Sequence, residues 1–174
     1  VNGADDKQAA AEGIRLAAER GIHVLFFGPA AVAPQHPNVE VVDAPVSIAK
    51  ASDPAIAVRS TPDASIVQAA RAVAEGRAQA FVAGGSTGAA LAAGLFNIRR
   101  ASGIFRPALA LPLPIPGKPV TLLDVGANAE SRPEHLVQFA FMGAALAQIV
   151  LGVDEPRVGL LSNGEEAMKG TPLV

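Results

Sequence analysis

A short run of glycine and hydroxyl residues, Gly84-Gly85-Ser86-Thr87-Gly88, follows an apolar segment and precedes a stretch of small residues. Glycines let a ligand approach the backbone closely, and the amides at the start of a helix attract an anion. The Ser86 and Thr87 hydroxyls add two donors. The run therefore predicts a phosphate site formed by Gly85, Ser86, Thr87 and Gly88, or else a tight turn in which Ser86 caps the helix.

A second loop with polar side chains, Asp124-Val125-Gly126-Ala127-Asn128, also follows an apolar segment. The Asn128 amide both donates and accepts, so it can orient a phosphate or donate to a developing oxyanion. The alternative is local: Asp124 or Asn128 accepts hydrogen bonds from the backbone amides of the turn. The residue types leave both roles open.

Lys169 is the third candidate, one of four lysines in the chain, and it shares a loop with Glu165 and Glu166. A cation there can hold a phosphate or stabilise an oxyanion, and otherwise it is a solvated surface charge. His135, close in sequence to Asn128, is a further candidate for lining a site. No histidine has a second ligand at metal spacing, so we predict no metal and no cofactor.

The composition narrows the function classes that these residues can serve. The 174 residues are 50% hydrophobic and 17% charged, with a formal net charge of -2. These values argue against a disordered chain and against a nucleic-acid binder. The absence of cysteine excludes disulfides, thiolate metal sites and cysteine nucleophiles. The length, with no internal repeat or linker in the sequence, predicts a single domain over residues 1–174.

The elements that must position these residues mostly alternate between strands and helices. The predicted strands are Ile22–Phe27, Val39–Val42, Ala80–Ala83, Pro107–Leu113, Val120–Asp124 and Val158–Leu161. The predicted helices are Asp5–Arg20, which Gly21 ends, a short one opened by Asp53-Pro54, Asp63–Glu75, one from the glycine-rich loop to Ile98, and Pro133–Leu151. This alternation predicts an α/β fold with a mostly parallel sheet, at whose carboxyl edge ligands bind.

The last predicted helix is apolar on most faces, and we expect it to be buried in the core. Its longest nearly unbroken apolar run, Phe139–Leu151, is shorter than the roughly 20 residues of a transmembrane helix. We therefore predict a soluble domain with weak or no membrane contact.

An ordered set of motifs extends across the whole chain. In the second half these are Leu122-Leu123-Asp124-Val125-Gly126-Ala127-Asn128-Ala129-Glu130, Arg132-Pro133-Glu134-His135-Leu136, Pro156-Arg157-Val158-Gly159-Leu160-Leu161, Gly164-Glu165-Glu166 and Lys169-Gly170. Upstream they are Ala57-Val58-Arg59, Asp63-Ala64-Ser65, Gly85-Ser86-Thr87-Gly88 and Gly103-Ile104-Phe105-Arg106-Pro107-Ala108. This ordered set resembles the PlsX-type phosphate acyltransferase family, and it is far more specific than any single motif.

The resemblance implies a Rossmann-like three-layer α/β/α fold, related to isocitrate and isopropylmalate dehydrogenases and to phosphotransacetylases. It implies transfer of a long acyl group from acyl carrier protein to inorganic phosphate, which gives acyl phosphate for phospholipid synthesis. It implies a cytoplasmic homodimer, peripheral to the inner face of the membrane, that supplies a glycerol-3-phosphate acyltransferase. The implied catalytic residues are Lys169 and Asn128, and the implied substrate-binding residues are Gly85, Ser86, Thr87, Gly88, Arg59, Arg106 and His135.

The chain departs from the family pattern in three places. Ser86 stands where the family usually has asparagine, and Ser60-Thr61-Pro62 follows Arg59 where the family usually has lysines. The family's opening strand with its Asp-Ala-Met-Gly-Gly-Asp loop and roughly its C-terminal half have no counterpart. The chain therefore resembles an internal part of a longer acyltransferase.

Two other functions remain as alternatives. One is a phosphotransacetylase-like enzyme that transfers short acyl groups from coenzyme A. The other is a non-catalytic truncated fragment that binds phosphate or a partner protein. Hydride transfer fits poorly, because the sequence shows no dinucleotide fingerprint and no paired metal carboxylates.

Overall fold

The computed structural model describes residues 7–117, 119–162 and 164. The chain divides into two compact units, Val1–Arg99 and Arg100–Val174. Helices and strands occur in both, which confirms the predicted α/β class. The single domain inferred from the chain length remains a prediction.

The first unit contains helices and a two-stranded parallel sheet. In chain order its elements are α1 (Lys7–Glu19), β1 (Val24–Gly28), a 3-10 turn (Ala30–Val32), β2 (Val39–Asp43), α2 (Pro54–Ser60), α3 (Ser65–Ala74), α4 (Thr87–Ala93) and a π-helical turn (Gly94–Ile98). β1 and β2 pair with Val24 beside Val39. Both α1 and α3 pack against β1, in which Phe26 and Phe27 are buried.

Local signals set the helix boundaries in this unit. The Asp53 carboxylate accepts a hydrogen bond from the Ile56 amide at 2.9 Å, and Pro54 then opens α2 where no amide partner is needed. Gly21, with a φ of 84°, follows the end of α1 in the left-handed conformation that favours glycine. These two predicted signals are confirmed, whereas the predicted start of α1 at Asp5 lies outside the described residues.

Small side chains form the core of the first unit, where α2, α3 and α4 meet. Ala64, Ala70 and Ala93 are fully buried in a cluster that also contains Val58 and Val67. Partly buried apolar side chains pack against its edge, among them Phe81 and Phe96. Alanine at the contacts lets the helices pack closely on one another, which explains the alanine-rich sequence of these helices.

The second unit contains an antiparallel strand pair and a long helix. Its elements are β3 (Ala110–Leu113), β4 (Val120–Leu123) and α5 (Pro133–Leu151). Leu113 lies beside Val120, and α5 packs against β4. The predicted mostly parallel arrangement is wrong for this pair. Only six residues connect β3 to β4, whereas a parallel crossover needs about a dozen or more.

Two predicted strands, Ala80–Ala83 and Val158–Leu161, are wrong: neither segment is a strand or pairs with another segment in the described part of the chain. Val82 is 89% exposed and Leu161 is 78% exposed. A strand needs a neighbour for its backbone donors and acceptors, and its local sequence does not determine whether one is present.

α5 is largely exposed, so its predicted burial is wrong for the described residues. Only His135 and Phe139 are buried, whereas Phe141 is 75% exposed and Ile149 is 84% exposed. By length and composition, this 19-residue helix is long and apolar enough to cross a membrane. The apolar run that begins at Phe139 is by itself too short to do so. Core helices of soluble proteins can have the same length and apolar composition.

Candidate functional site

The glycine-rich loop leads into α4, as predicted. Ser86 Oγ accepts a hydrogen bond from the Ala89 amide at 3.4 Å and caps the helix. The φ of Ser86 is 49°, in the left-handed region that glycine and asparagine adopt far more readily than serine. Thr87 and Gly88 are exposed, so an anion has a path to the loop from solvent. Anion binding by Gly85, Ser86, Thr87 and Gly88 remains a prediction.

Gly88 has a packing role that the sequence did not suggest. A Cβ atom on Gly88 would lie 3.0 Å from Cγ of Pro54, closer than the optimal carbon–carbon separation of about 3.5–4.0 Å. Glycine at this position therefore lets α4 approach the first turn of α2. We predicted that the glycines would let a ligand approach the backbone closely. At Gly88, it is the neighbouring helix α2 that approaches.

Beside this contact lies a mainly apolar groove of about 380 Å³ between α2 and the helix that α4 and the π-helical turn form. Its lining includes Pro54, Gly88, Leu91, Ala92, Leu95 and Phe96. The guanidinium carbon of Arg59 lies 4.2 Å from the centroid of the Phe96 ring, in a cation–π contact. The structure thus places Arg59 and Gly88, two predicted binding residues, on the helices that form one groove.

The sequence analysis did not predict this groove. Gly88, Leu91 and Leu95 follow helical spacing, which was the available signal, but such spacing more often marks a buried core face. What distinguishes this face is that the Leu91 and Leu95 side chains are only partly buried.

In the second unit, Asp124 organises the loop that follows β4. Its carboxylate accepts hydrogen bonds from the amides of Leu109, Ala127 and Asn128, each at 2.9 Å, and from that of Gly126 at 3.3 Å. The side-chain amide of Asn128 donates to Asp124 Oδ2 at 2.9 Å and to the Pro107 carbonyl at 2.8 Å. The loop role weighed for Asp124 is therefore present, and Asn128 Nδ2 is engaged twice within the protein.

The charge on Asp124 is favoured by this arrangement. Partial burial acts to raise the pKa of the Asp124 carboxyl, but the hydrogen bonds from Leu109, Ala127 and Asn128 outweigh it, and the pKa lies below its usual value. Asp124 is therefore an ionised acceptor at neutral pH that holds the loop.

His135 lies in the first turn of α5 and is 7% exposed. Its Nδ1 atom accepts a hydrogen bond from the Arg132 amide at 3.2 Å, which caps the helix start. Its ring lies between those of Phe105 and Phe139, with both centroids at 6.4 Å. These contacts support a structural role, and a contact with substrate remains a prediction.

Of the two remaining predicted site residues, the structure describes only one. Arg106 is exposed in the segment before β3. Lys169, with Glu165 and Glu166, lies outside the described residues. Within residues 7–117, 119–162 and 164, no three histidine, aspartate or glutamate side chains are grouped to hold a metal ion.

Comparison with known proteins identifies the family. A protein-family model described as "Fatty acid synthesis protein" matches residues 4–174. The chain belongs to the fatty acid synthesis protein family. A "Phosphate acyltransferase" from Gloeobacter violaceus is 49% identical over 177 residues, which cover 96% of this chain and 52% of that protein. Another, from Levilactobacillus brevis, is 48% identical over 91% of this chain and 49% of its own length.

This member of the fatty acid synthesis protein family spans about half the length of the curated relatives it matches. The Bacillus licheniformis "Phosphate acyltransferase" shows the same relation, with 42% identity over 99% of this chain and 54% of that protein. The resemblance to PlsX-type phosphate acyltransferases that the motifs predicted is confirmed by these matches.

Proposed function

We propose that this protein forms part of a phosphate acyltransferase that moves a long fatty acyl group from acyl carrier protein to inorganic phosphate. The observation that carries this proposal is the 49% identity to the Gloeobacter violaceus "Phosphate acyltransferase" over 96% of the chain. The family description, fatty acid synthesis, supports a fatty acyl group as the cargo.

The reaction balances without a redox partner. A phosphate oxygen attacks the thioester carbonyl carbon, and a carbon–oxygen bond forms as the carbon–sulfur bond breaks. The carrier leaves as a thiolate and takes up the proton that phosphate loses. Because phosphate is the nucleophile and thiolate is a good leaving group, the protein has mainly to position the two reactants and stabilise the oxyanion.

In this proposal the loop residues Gly85, Ser86, Thr87 and Gly88 hold phosphate. Arg59, whose guanidinium lies on the Phe96 ring, is assigned to substrate binding from the family pattern. Lys169 stabilises the oxyanion. Asn128 could share that task only by releasing a hydrogen bond, because its Nδ2 atom already donates to Asp124 and Pro107. Arg106 and His135 are assigned to substrate binding from the family pattern alone.

The finer fold and the partners are parts of the same proposal. A Rossmann-like three-layer α/β/α architecture is supported by the parallel pairing of β1 with β2 and by the packing of α1 and α3 against β1. The proposal includes a homodimer, a cytoplasmic location peripheral to the inner face of the membrane, and delivery of acyl phosphate to a glycerol-3-phosphate acyltransferase. These features come from the family resemblance.

The deciding experiment measures phosphate-dependent release of thiol and capture of acyl phosphate by hydroxylamine. Palmitoyl-acyl carrier protein is compared with acetyl-coenzyme A, and the Gloeobacter violaceus relative is assayed in parallel. Turnover of the palmitoyl carrier substrate alone supports the proposal, and turnover of acetyl-coenzyme A alone identifies the short-chain alternative. If the chain alone is inactive beside the active relative, it replaces the matching half of that relative. A chimera that turns over palmitoyl-acyl carrier protein supports the proposal, and a folded but inactive chimera identifies a non-catalytic protein.

A further inference from the structure

The groove between α2 and α4 has the character of a binding surface for an aliphatic chain. Leu91, Leu95 and Phe96 present partly buried apolar side chains along it, and Ala92 lies between them with almost no exposed surface. An apolar surface that folding leaves partly open to water is stabilised when a ligand covers it. Its volume of about 380 Å³ falls within the range of about 300–1,000 Å³ that small-molecule sites occupy.

The groove is elongated along one helix. Gly88, Leu91 and Leu95 recur at intervals of three and four residues, so they lie on one face of the helix that α4 and the π-helical turn form. From Gly88 to Phe96 this face extends about 12 Å, at about 1.5 Å per residue. An apolar strip of that length can contact an extended hydrocarbon chain along its axis.

The two ends of the groove differ in chemistry. At one end Gly88 belongs to the glycine-rich loop, next to the exposed Thr87. At the other end the Phe96 ring carries the Arg59 guanidinium on its face. A molecule with a polar reacting head and an aliphatic tail would therefore meet polar groups at the Gly88 end, where Ser52 and Asp53 also line the groove, and apolar side chains between Gly88 and the Phe96 ring.

We infer that this groove binds the acyl chain of the thioester substrate, with the thioester end toward Gly88 and the chain running past Leu91 and Leu95 toward Phe96. The inference rests on the proposed function, because it takes the acyl group of that reaction as the ligand. It assigns chain binding to α2, α4 and the π-helical turn, where the sequence had predicted only phosphate binding.

The test compares Leu91→Asn with Ile56→Asn. Ile56 lies on α2 with 64% of its surface exposed and does not line the groove, so it receives the same change outside the site. Each methylene that loses apolar contact weakens binding about fourfold, equivalent to about 0.8 kcal/mol. Leu91→Asn places a polar amide against about two or three methylenes of the bound acyl chain. Palmitate binding, measured by calorimetry, should therefore weaken at least about tenfold. Ile56→Asn should bind it within about twofold of the parent.

A second measurement uses the unchanged chain, in case Leu91→Asn does not fold. With methyl-labelled leucine, added palmitate should shift the NMR signals of Leu91 and Leu95 and leave that of Leu16, on α1, in place. Equal weakening by the two variants, or shifts that spare Leu91 and Leu95, would overturn the inference.

The outcomes separate this inference from the proposed function. If Leu91→Asn leaves the KM for palmitoyl-acyl carrier protein unchanged while phosphate-dependent turnover continues, the groove assignment is wrong and the acyltransferase proposal stands. If palmitate binds in the groove but neither this chain nor a folded chimera with the rest of the Gloeobacter violaceus relative turns over the thioester, the activity is wrong and the apolar site stands.

Discussion

Asn128 donates a hydrogen bond from its side-chain amide to the carboxylate of Asp124 at 2.9 Å, four residues before it in the chain. The same carboxylate holds the amides of Leu109, Ala127 and Asn128. Asp124 thus ties the loop after β4 to the residue that precedes β3. A change at Asp124 should therefore loosen the loop after β4 and the start of β3 together.

Asp124→Asn is therefore expected to lower the free energy of unfolding by about 2 kcal/mol at neutral pH, because hydrogen bonds to a charged group contribute about 1.5–3 kcal/mol. Asn keeps one acceptor oxygen but places an amide against backbone donors. Urea unfolding measures the loss, and Asp154→Asn, on an exposed aspartate of the same unit, serves as the control. Equal small losses in the two variants would show that the Asp124 contacts do not stabilise the loop.

The lowered pKa of Asp124 gives the same carboxyl a defined pH dependence. A carboxyl whose pKa is lower in the folded state than in the unfolded state stabilises the protein above the unfolded value, about 3.9, and loses that contribution as the pH falls through the folded value. The stability difference between the parent and Asp124→Asn should therefore be full at neutral pH and shrink below about pH 4. A difference that stays constant down to pH 3 would contradict this assignment.

Ser86→Asn is expected to stabilise the first unit by about 0.5–1 kcal/mol, because asparagine tolerates the left-handed φ of 49° and still caps the helix. Ser86→Ala should have the opposite effect, since it keeps the unfavourable φ and removes the cap. Thermal unfolding of the two variants measures the signs. Destabilisation by asparagine would show that the serine hydroxyl has a specific role here.

Features that depend on neighbouring residues could be predicted from the sequence, whereas features that depend on contacts between distant segments could not. The start of α2 at Asp53-Pro54 and the stop at Gly21 depend on a few neighbouring residues, so local types sufficed. Ala80–Ala83 looks like a strand in composition, but a strand exists only if another segment pairs with it. The six-residue connection between β3 and β4 could have predicted antiparallel pairing, because it is too short for a crossover.

The candidate site shows the same division. The glycine-rich loop before α4 and the Asp124 loop after β4 were found from residue types. Whether Asn128 faces a ligand or Asp124 depends on which backbone groups lie within about 3 Å, which spacing in sequence does not specify. The groove beside Gly88 required the distance to Pro54, a contact between helices far apart in the chain.

Thr121→Val is expected to stabilise the second unit by about 1 kcal/mol. The Thr121 hydroxyl is buried in β4 without a hydrogen-bond partner in the described part of the chain, and burying an unpaired hydroxyl costs about 1–3 kcal/mol in proteins. Valine keeps the β-branched shape that suits a strand. Thr121→Ser keeps the hydroxyl and loses the methyl group, so it should destabilise. Stabilisation by serine and not by valine would contradict this account.

Lys169→Ala tests the residue that the sequence singled out most sharply and that lies outside the described residues. If Lys169 stabilises the oxyanion, the rate of acyl phosphate formation in a full-length context should fall about 10²–10³-fold, as for the loss of one oxyanion donor. A solvated surface lysine would instead cost about 0.5 kcal/mol of stability or less and almost nothing in rate. Lys50→Ala, on an exposed lysine of the first unit, is the matched control. The assay is run at saturating phosphate, so that weaker phosphate binding does not mimic a slower chemical step. Turnover of Lys169→Ala within about threefold of the parent, the range expected for a surface change, would remove Lys169 from the catalytic residues.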